Sequence, residues 1–344
     1  MTTQTYPAGT TFEYGSSTWR GHDRFFCYDC PFDIFNEATM IDHCRRNGHG
    51  VIVQDMTEES FIEHEAPLPP IGVKITLGYI TWNTRGPSVD GVKGLLAEAD
   101  RLRRLGQVVE LVILDNGSSD GTPEVITEML RDVPGTELIR NVRNFGISVG
   151  RNQIIDAALD RKSKYLLMMD GDIQVVPLST YVMIQYLECH TGLGCIGAAS
   201  SNYTREPHRA SKYLFDIPEI SVKSNIPIAW TQYGLFRCRM FELGVRFDED
   251  GPFGEPGWGY EDDDLYIQMV ASGWESRYFN RMCYLHRNIR SSWPSLRESG
   301  VDVRSTFKAR KSYMLNKWKR RGVDSNLLAR IDNQSIPVEM DHGR

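Results

Sequence analysis

Two acidic clusters carry the residues of this chain best suited to chemistry. Asp170-Gly171-Asp172 follows the apolar run Tyr165-Leu166-Leu167-Met168-Met169, which reads as a buried strand. That order puts two carboxylates at the mouth of a sheet, where α/β proteins bind ligands. Gly257-Trp258-Gly259-Tyr260-Glu261-Asp262-Asp263-Asp264 stands just ahead of a helix-like stretch from Leu265 to Ser272. The first cluster suits a divalent cation carrying a diphosphate, because hard cations take oxygen ligands and keep positions open for phosphate. The second suits a general base, since a carboxylate within reach of a hydroxyl can take its proton. Read alone, Asp-Gly-Asp is a common turn composition and an acidic run is commonly a solvated face. The strand before one, and the glycines and aromatics before the other, point instead to nucleotide-sugar chemistry.

The elements that must position these residues begin at Val73. Val73 to Ile80 reads as a first strand, followed by Thr81-Trp82-Asn83-Thr84-Arg85 and a helix with Val92, Leu95, Leu96, Ala99 and Leu102 at helical spacing. A second strand, Val109 to Leu114, ends in Asp115-Asn116-Gly117-Ser118-Ser119-Asp120-Gly121. Thr122 is expected to cap the next helix, with Pro123 at its first position. A third strand, Glu137 to Arg140, leads to Asn144-Phe145-Gly146, and Ser148 opens a helix carrying Arg151 and Asn152. Strand and helix alternate, which predicts an α/β fold with a mainly parallel mixed sheet flanked by helices.

In their order, Thr81-Trp82-Asn83, Leu114 to Thr122, Asn144 to Ser148, Arg151-Asn152 and Asp170-Gly171-Asp172 resemble the successive motifs of family 2 glycosyltransferases with the GT-A fold. The Gly257–Asp264 run resembles the acceptor-site motif of the β-1,4-galactosyltransferase family, and the likeness extends over roughly Val73 to Asn288. It implies a Rossmann-like GT-A domain that transfers a sugar from a UDP-sugar to a hydroxyl with inversion, using Mn²⁺ or Mg²⁺. It further implies that Asp115 binds the uracil, that Asp170 lies near the ribose or diphosphate, and that Asp172 binds the metal. Thr81, Asn83, Asn144, Gly146 and Arg151 would line the donor site, with Trp258 beside the sugar or acceptor. Asp262 would be the catalytic base, and Glu261 and Asp263 would orient the acceptor. His286 matches a later histidine that completes the metal site; its alternative is a satisfied core histidine. The galactosyltransferases use a methionine three residues earlier, where this chain has Cys283 with Met282 adjacent, so the remaining ligand stays open between these two.

Ahead of this region, Cys27-x2-Cys30-x12-His43-x5-His49 has the spacing of a ββα zinc finger, with Ile34 and Met40 at the positions of its apolar core. A structural Zn²⁺ would supply most of the folding energy of so small a segment. Asn36, Thr39 and Asp42 fall at the base-reading positions, yet Asp33, Glu37 and Asp42 make the face acidic, so DNA reading and protein docking stand side by side. The expected domains are a zinc-finger-like module over 20–64, a Pro-rich linker over 65–72, the GT-A domain over 73–300 and a basic C-terminal extension over 301–344.

The net charge of −6 over 344 residues argues against a protein that coats nucleic acid along its whole surface. The extension differs, because Lys308, Arg310, Lys311, Lys317, Lys319, Arg320 and Arg321 surround Phe307, Tyr313 and Trp318 without an acid between them. Such a patch would follow a phosphate backbone, or else form an amphipathic helix packed on the core through Tyr313, Met314, Leu315 and Trp318. Met1 to Gly15 is polar and small and no run is apolar enough to span a membrane, so a cytoplasmic enzyme is expected, in a host cytoplasm if viral. A finger and a basic tail direct the acceptor expectation to a macromolecule: a hydroxylated base in DNA, as in viral hypermodification, or a protein or cytosolic glycan. A finger-containing binding protein with an inactive transferase core is the non-enzymatic alternative.

Overall fold

The computed structural model describes residues 71–175, 179–200, 231–257, 259–286 and 293–333, with four short segments before them. Those segments are strands β1 (Thr3–Tyr6), β2 (Asp23–Cys27), β3 (Asp33–Ile34) and β4 (Val51–Asp55). They form an antiparallel sheet in the order β1-β4-β2-β3. Strands β2 and β3 pair with Phe25 opposite Ile34, and β4 pairs along the other side of β2. The sheet thus has two more strands than a ββα finger needs. Cys30, His43, His49 and the side chain of Cys27 lie outside the described residues.

The larger domain alternates strand and helix from residue 74 onward. Its elements are β5 (Lys74–Thr81), α1 (Arg85–Arg104), β6 (Val108–Asp115), α2 (Thr122–Leu130), β7 (Thr136–Arg140), α3 (Ile147–Asp160), β8 (Tyr165–Asp170), β9 (Ile173–Gln174) and α4 (Ser179–Cys189). Then come β10 (Leu193–Ser200), β11 (Tyr233–Arg237), α5 (Cys238–Glu242), α6 (Glu261–Ala271), β12 (Glu275–His286), α7 (Trp293–Glu298), α8 (Val303–Arg320) and α9 (Ser325–Asn333). Eight strands make one sheet in the order β7-β6-β5-β8-β11-β10-β12-β9. The first four are parallel; β11 is antiparallel to both its neighbours, and β12 is parallel to β10.

The apolar run of β8 shows why both faces are covered. Leu167 and Met169 enter the cluster that α1 and α4 bury with Leu95, Leu102 and Ile184, whereas Leu166 and Met168 enter the opposite one with Ile154, Ala158 and Phe241. Alternate side chains of a strand point to opposite faces, so a strand buried on both reads as continuous apolar sequence. A third cluster joins Phe253, Tyr260 and Ile267 to Met314, Trp318 and Leu328, and it docks α8 and α9 on the rest of the domain. No helix among the described residues is long and apolar enough to cross a membrane.

Two helix starts differ from the sequence expectation. The cap of α2 is Gly121, and Asp120 supplies the side-chain acceptor, taking Thr122 N at 3.0 Å and Thr122 Oγ1 at 2.5 Å. A carboxylate is an anion at a helix N-terminus, where free N–H groups and the helix dipole favour it over a hydroxyl. Helix α6 begins at Glu261, four residues before the expected start, so all four acids lie in its first turn. The same dipole accommodates them.

Candidate active site

The parallel strands end level with one another. Register pairs Thr81 with Asp115 and Ile80 with Asp170, so the first three motifs meet at the carboxyl edge of β5, β6 and β8. Asp115 is buried; its Oδ2 accepts from Ser118 N at 3.0 Å, while its Oδ1 is buried without a hydrogen-bond partner. An acceptor oxygen in that state fits a ligand donor, since leaving it unpaired is costly. Asn83, in the left-handed region at φ 49°, joins two loops: its N donates to Ser118 Oγ and its Oδ1 accepts from Ser119 N, both at 2.8 Å. Asn144 turns inward, where its Oδ1 accepts from Gly146 N at 2.8 Å and Asn116 Nδ2 at 3.1 Å. Thr81 also points inward, into a hydroxyl cluster with Thr84 and Ser88. Asn83, Asn144, Gly146 and Thr81 therefore shape the loops at the carboxyl edge of the sheet.

Asp172 is largely buried just past the Asp170-Gly171 turn. Strand β9 then sets Ile173 opposite His286 of β12, so the sheet places His286 one register position from Asp172 despite more than a hundred intervening residues. The side chains of Met282, Cys283 and His286 lie outside the described residues, as does Trp258.

Arg151 connects the two acidic clusters. Its buried guanidinium donates to Asp170 Oδ1 at 2.9 Å through Nη2, and to Asp262 Oδ1 at 2.7 Å and Glu261 Oε1 at 3.4 Å through Nη1. Asp262 also accepts from the Thr231 hydroxyl. Burial pushes the Asp262 carboxyl up to about 7, with Arg151 opposing and the Glu261 charge adding to the rise. Asp263 is likewise held well above the carboxylate range by burial and by Asp262, Glu261 and Asp264. A carboxylate that exchanges its proton near neutral pH is suited to general-base work.

Three residues that the sequence placed only in an acidic run or a basic patch support these clusters from within the fold. Arg310 of α8 is fully buried, its Nη2 donating to Glu255 O at 2.6 Å and its Nη1 lying 3.5 Å from Glu261 Oε2. Asp264 is fully buried too, and accepts from Lys317 Nζ at 2.7 and 2.9 Å, Trp318 Nε1 at 2.6 Å and Gln268 Nε2 at 2.9 Å. Lys317 also donates to Asp248 at 2.7 Å, so it is a docking residue of α8 and not part of a nucleic-acid patch. The loop before α6 lies directly on α8: Gly259 has φ 103°, and a Cβ there would sit 2.4 Å from Phe307. A helical spacing of Val303, Arg310, Met314 and Trp318, with one arginine on an apolar face, was the available signal.

Against known proteins, residues 93–244 match the model of glycosyl transferase family 2. It contains Asp115, Arg151 and both aspartates of the Asp170–Asp172 turn. The fold is similar to that of the mannosyltransferase PcManGT from Pyrobaculum calidifontis, solved in complex with GDP-Man and Mn2+, at 13% identity over 79% of this chain and 72% of that one, with a TM-score of 0.52. Staphylococcus aureus TarS 1-349 is similar at 12% identity over 76% of this chain and 71% of that one, with a TM-score of 0.51. No curated protein matches the chain in sequence.

Proposed function

We propose that the protein is an inverting, metal-dependent glycosyltransferase that moves a sugar from a UDP-sugar to a hydroxyl acceptor. The observation that carries this reading is the junction at Arg151, which sets a donor-side aspartate and the carboxylate suited to act as base on one guanidinium. Asp115 would receive the base of the nucleotide. With Oδ2 engaged by Ser118, it offers one open oxygen, which matches the single N3–H of uracil better than the two donors on the same edge of guanine. Asp172 and His286 are the residues that would hold the cation; a carboxylate with an imidazole favours a transition metal such as Mn²⁺. When bound, the cation offsets charge developing on the leaving diphosphate. Mn²⁺ bound with GDP-Man in the Pyrobaculum protein supports a divalent ion here.

Asp262 would take the proton of the acceptor hydroxyl as its oxygen attacks the anomeric carbon opposite the leaving UDP, giving direct displacement and inversion. Glu261 and Asp263 would orient the acceptor, with Trp258 beside it. The preferred acceptor is a hydroxylated base in DNA, supported by the exposed Arg304, Lys308, Lys319, Arg320 and Arg321 on and just after α8. A protein or cytosolic glycan is the other acceptor class. The zinc-finger module with Cys27, Cys30, His43 and His49 and a structural Zn²⁺ belongs to the same proposal. Incubating the protein with each UDP-sugar and Mn²⁺ tests the core of it: Mn²⁺-dependent UDP release is expected, and chelation should abolish it. UDP release from none of them, with no UDP binding, would leave the inactive-core reading.

A further inference from the structure

We propose that Tyr79 is a positioning residue for the Asp170-Gly171-Asp172 turn, fixing it from beneath through the carbonyl of Gly171. The inference rests on the transferase reading, in which that turn carries the metal. Tyr79 lies in β5, an inner strand of the parallel set, fully buried, and its hydroxyl donates to Gly171 O at 2.7 Å. Gly171 is the one residue between the two aspartates, so this bond holds the peptide that aims both carboxylates.

The surroundings leave the phenol little freedom. Gly91 of α1 faces it so closely that a Cβ would sit 2.6 Å from the hydroxyl and 3.0 Å from Cε2. Ser88 lies one turn earlier on α1, beside the phenol. Ser88 Oγ lies 2.6 Å from Thr81 Oγ1 and 3.0 Å from Thr84 Oγ1, with Thr81 and Thr84 2.7 Å apart. The turn is closed from the other side as well, since a Cβ on Gly171 would lie 3.0 Å from both Ile80 O and Thr81 Oγ1. Tyr79, Thr81, Thr84 and Ser88 are all uncharged. They fix the position of the aspartates without neutralising them, which is what a cation site requires of its supports.

The test uses the full chain, UDP as probe, and titration calorimetry with and without Mn²⁺. Tyr79→Phe removes one oxygen and keeps the packed ring. It should weaken UDP binding in Mn²⁺ by about tenfold, as loss of an outer-shell partner typically does, and leave metal-free UDP binding within about twofold. Gly91→Ala, whose new methyl group meets Tyr79 and not the turn, should reproduce that loss. Should Tyr79→Phe fold poorly by circular dichroism, Gly91→Ala carries the same comparison. Mn²⁺-dependent affinity within about twofold of wild type in the folded variants overturns the proposal. Equal losses with and without Mn²⁺ also overturn it, because they mark a general defect. A wild-type protein that binds no UDP under either condition instead strikes the transferase reading, which keeps the two failures apart.

Discussion

The two acidic turns of this molecule are built from the same side chains and supported in opposite ways. Beneath Asp170-Gly171-Asp172 lie hydroxyls, with Arg151 reaching only Asp170 from one flank. Around Glu261-Asp262-Asp263-Asp264 stand buried cations from distant elements: Arg151 on Glu261 and Asp262, Arg310 on Glu261, and Lys317 on Asp264. Four acids in one helical turn repel each other, and burial disfavours every charge among them. The helix dipole offsets a part, and remote arginine and lysine side chains supply the rest. A turn that holds a cation, as proposed for Asp170-Gly171-Asp172, must instead keep its charge available, and the groups beneath it are neutral. The difference separates a site that collects charge from one that tunes protonation.

The largest effect should follow from Asp262→Asn, which keeps size and removes the basic oxygen. Turnover of a UDP-sugar should fall by about 10²-fold or more, while UDP binding in Mn²⁺ stays within about threefold of wild type, because Asp262 stands on the protonation side of the comparison. Donor affinity falling in step with rate would reassign Asp262 to the donor side and merge the two turns into one site.

Next in size is the loss of a buried counter-charge. Lys317→Met leaves Asp264 buried with its charge unmatched, and breaking such a pair costs about 3–5 kcal/mol. Lys319→Ala and Arg320→Ala, on the exposed side of the same helix, should stay within about 0.5 kcal/mol. Urea denaturation followed by circular dichroism measures all three. Equal, small losses would show that α8 is held by its apolar contacts alone.

This contrast within one basic stretch also marks how far the sequence could be read. The sheet and the loops at its carboxyl edge were legible because β5, β6 and β8 are largely apolar runs that each end in polar motif residues, a local signal. Asp115 and Asp170 could be placed at the sheet mouth from that order alone. Roles that depend on distant partners were not legible. Nothing near Asp264 in sequence announces Lys317 or Trp318, and Arg310 reads as one more surface cation until α8 folds back on the Gly257–Tyr260 loop. Arg151 falls between these cases: its motif was visible, its bridging of two clusters was not. Thr122 reads as the cap of α2, whereas Gly121 takes that position and Asp120 supplies the acceptor, because Asp120 and Thr122 both carry capping propensity and only geometry chooses between them.

The pH dependence is a finer probe of the charged turn. With Asp262 pushed up to about 7, the protonated form dominates below that value and the base is lost. Turnover should therefore rise about tenfold per pH unit below 7 and level off above about 8. Glu261 raises the Asp262 value, so Glu261→Gln should move the midpoint toward acid; Arg151 lowers it, so Arg151→Met should move the midpoint toward alkali. Three coincident profiles of kcat against pH would detach Asp262 from the rate.

The smallest expected effect addresses the acceptor, and the structure narrows the residues it can involve. Arg310 and Lys317 are committed to Glu261, Glu255, Asp248 and Asp264, which leaves Arg304, Lys308, Lys319, Arg320 and Arg321 exposed along and just after α8. If duplex DNA carrying hydroxymethylated pyrimidines is the acceptor, its phosphates must meet those side chains, because the protein as a whole is acidic. Binding should then weaken with salt, with a log–log slope of about −0.9 per phosphate neutralised. Replacing Lys308, Lys319 and Arg320 by alanine should flatten that slope by about three at most, and less for any of the three that points away from the duplex. Mn²⁺-dependent UDP binding should not change, since none of the three touches the donor-side turn. Fluorescence anisotropy with a labelled duplex at several salt concentrations gives the slope. A flat salt response in the wild-type protein, together with no mass added to the modified bases under any UDP-sugar, would exclude DNA and leave a protein or glycan hydroxyl as the proposed acceptor.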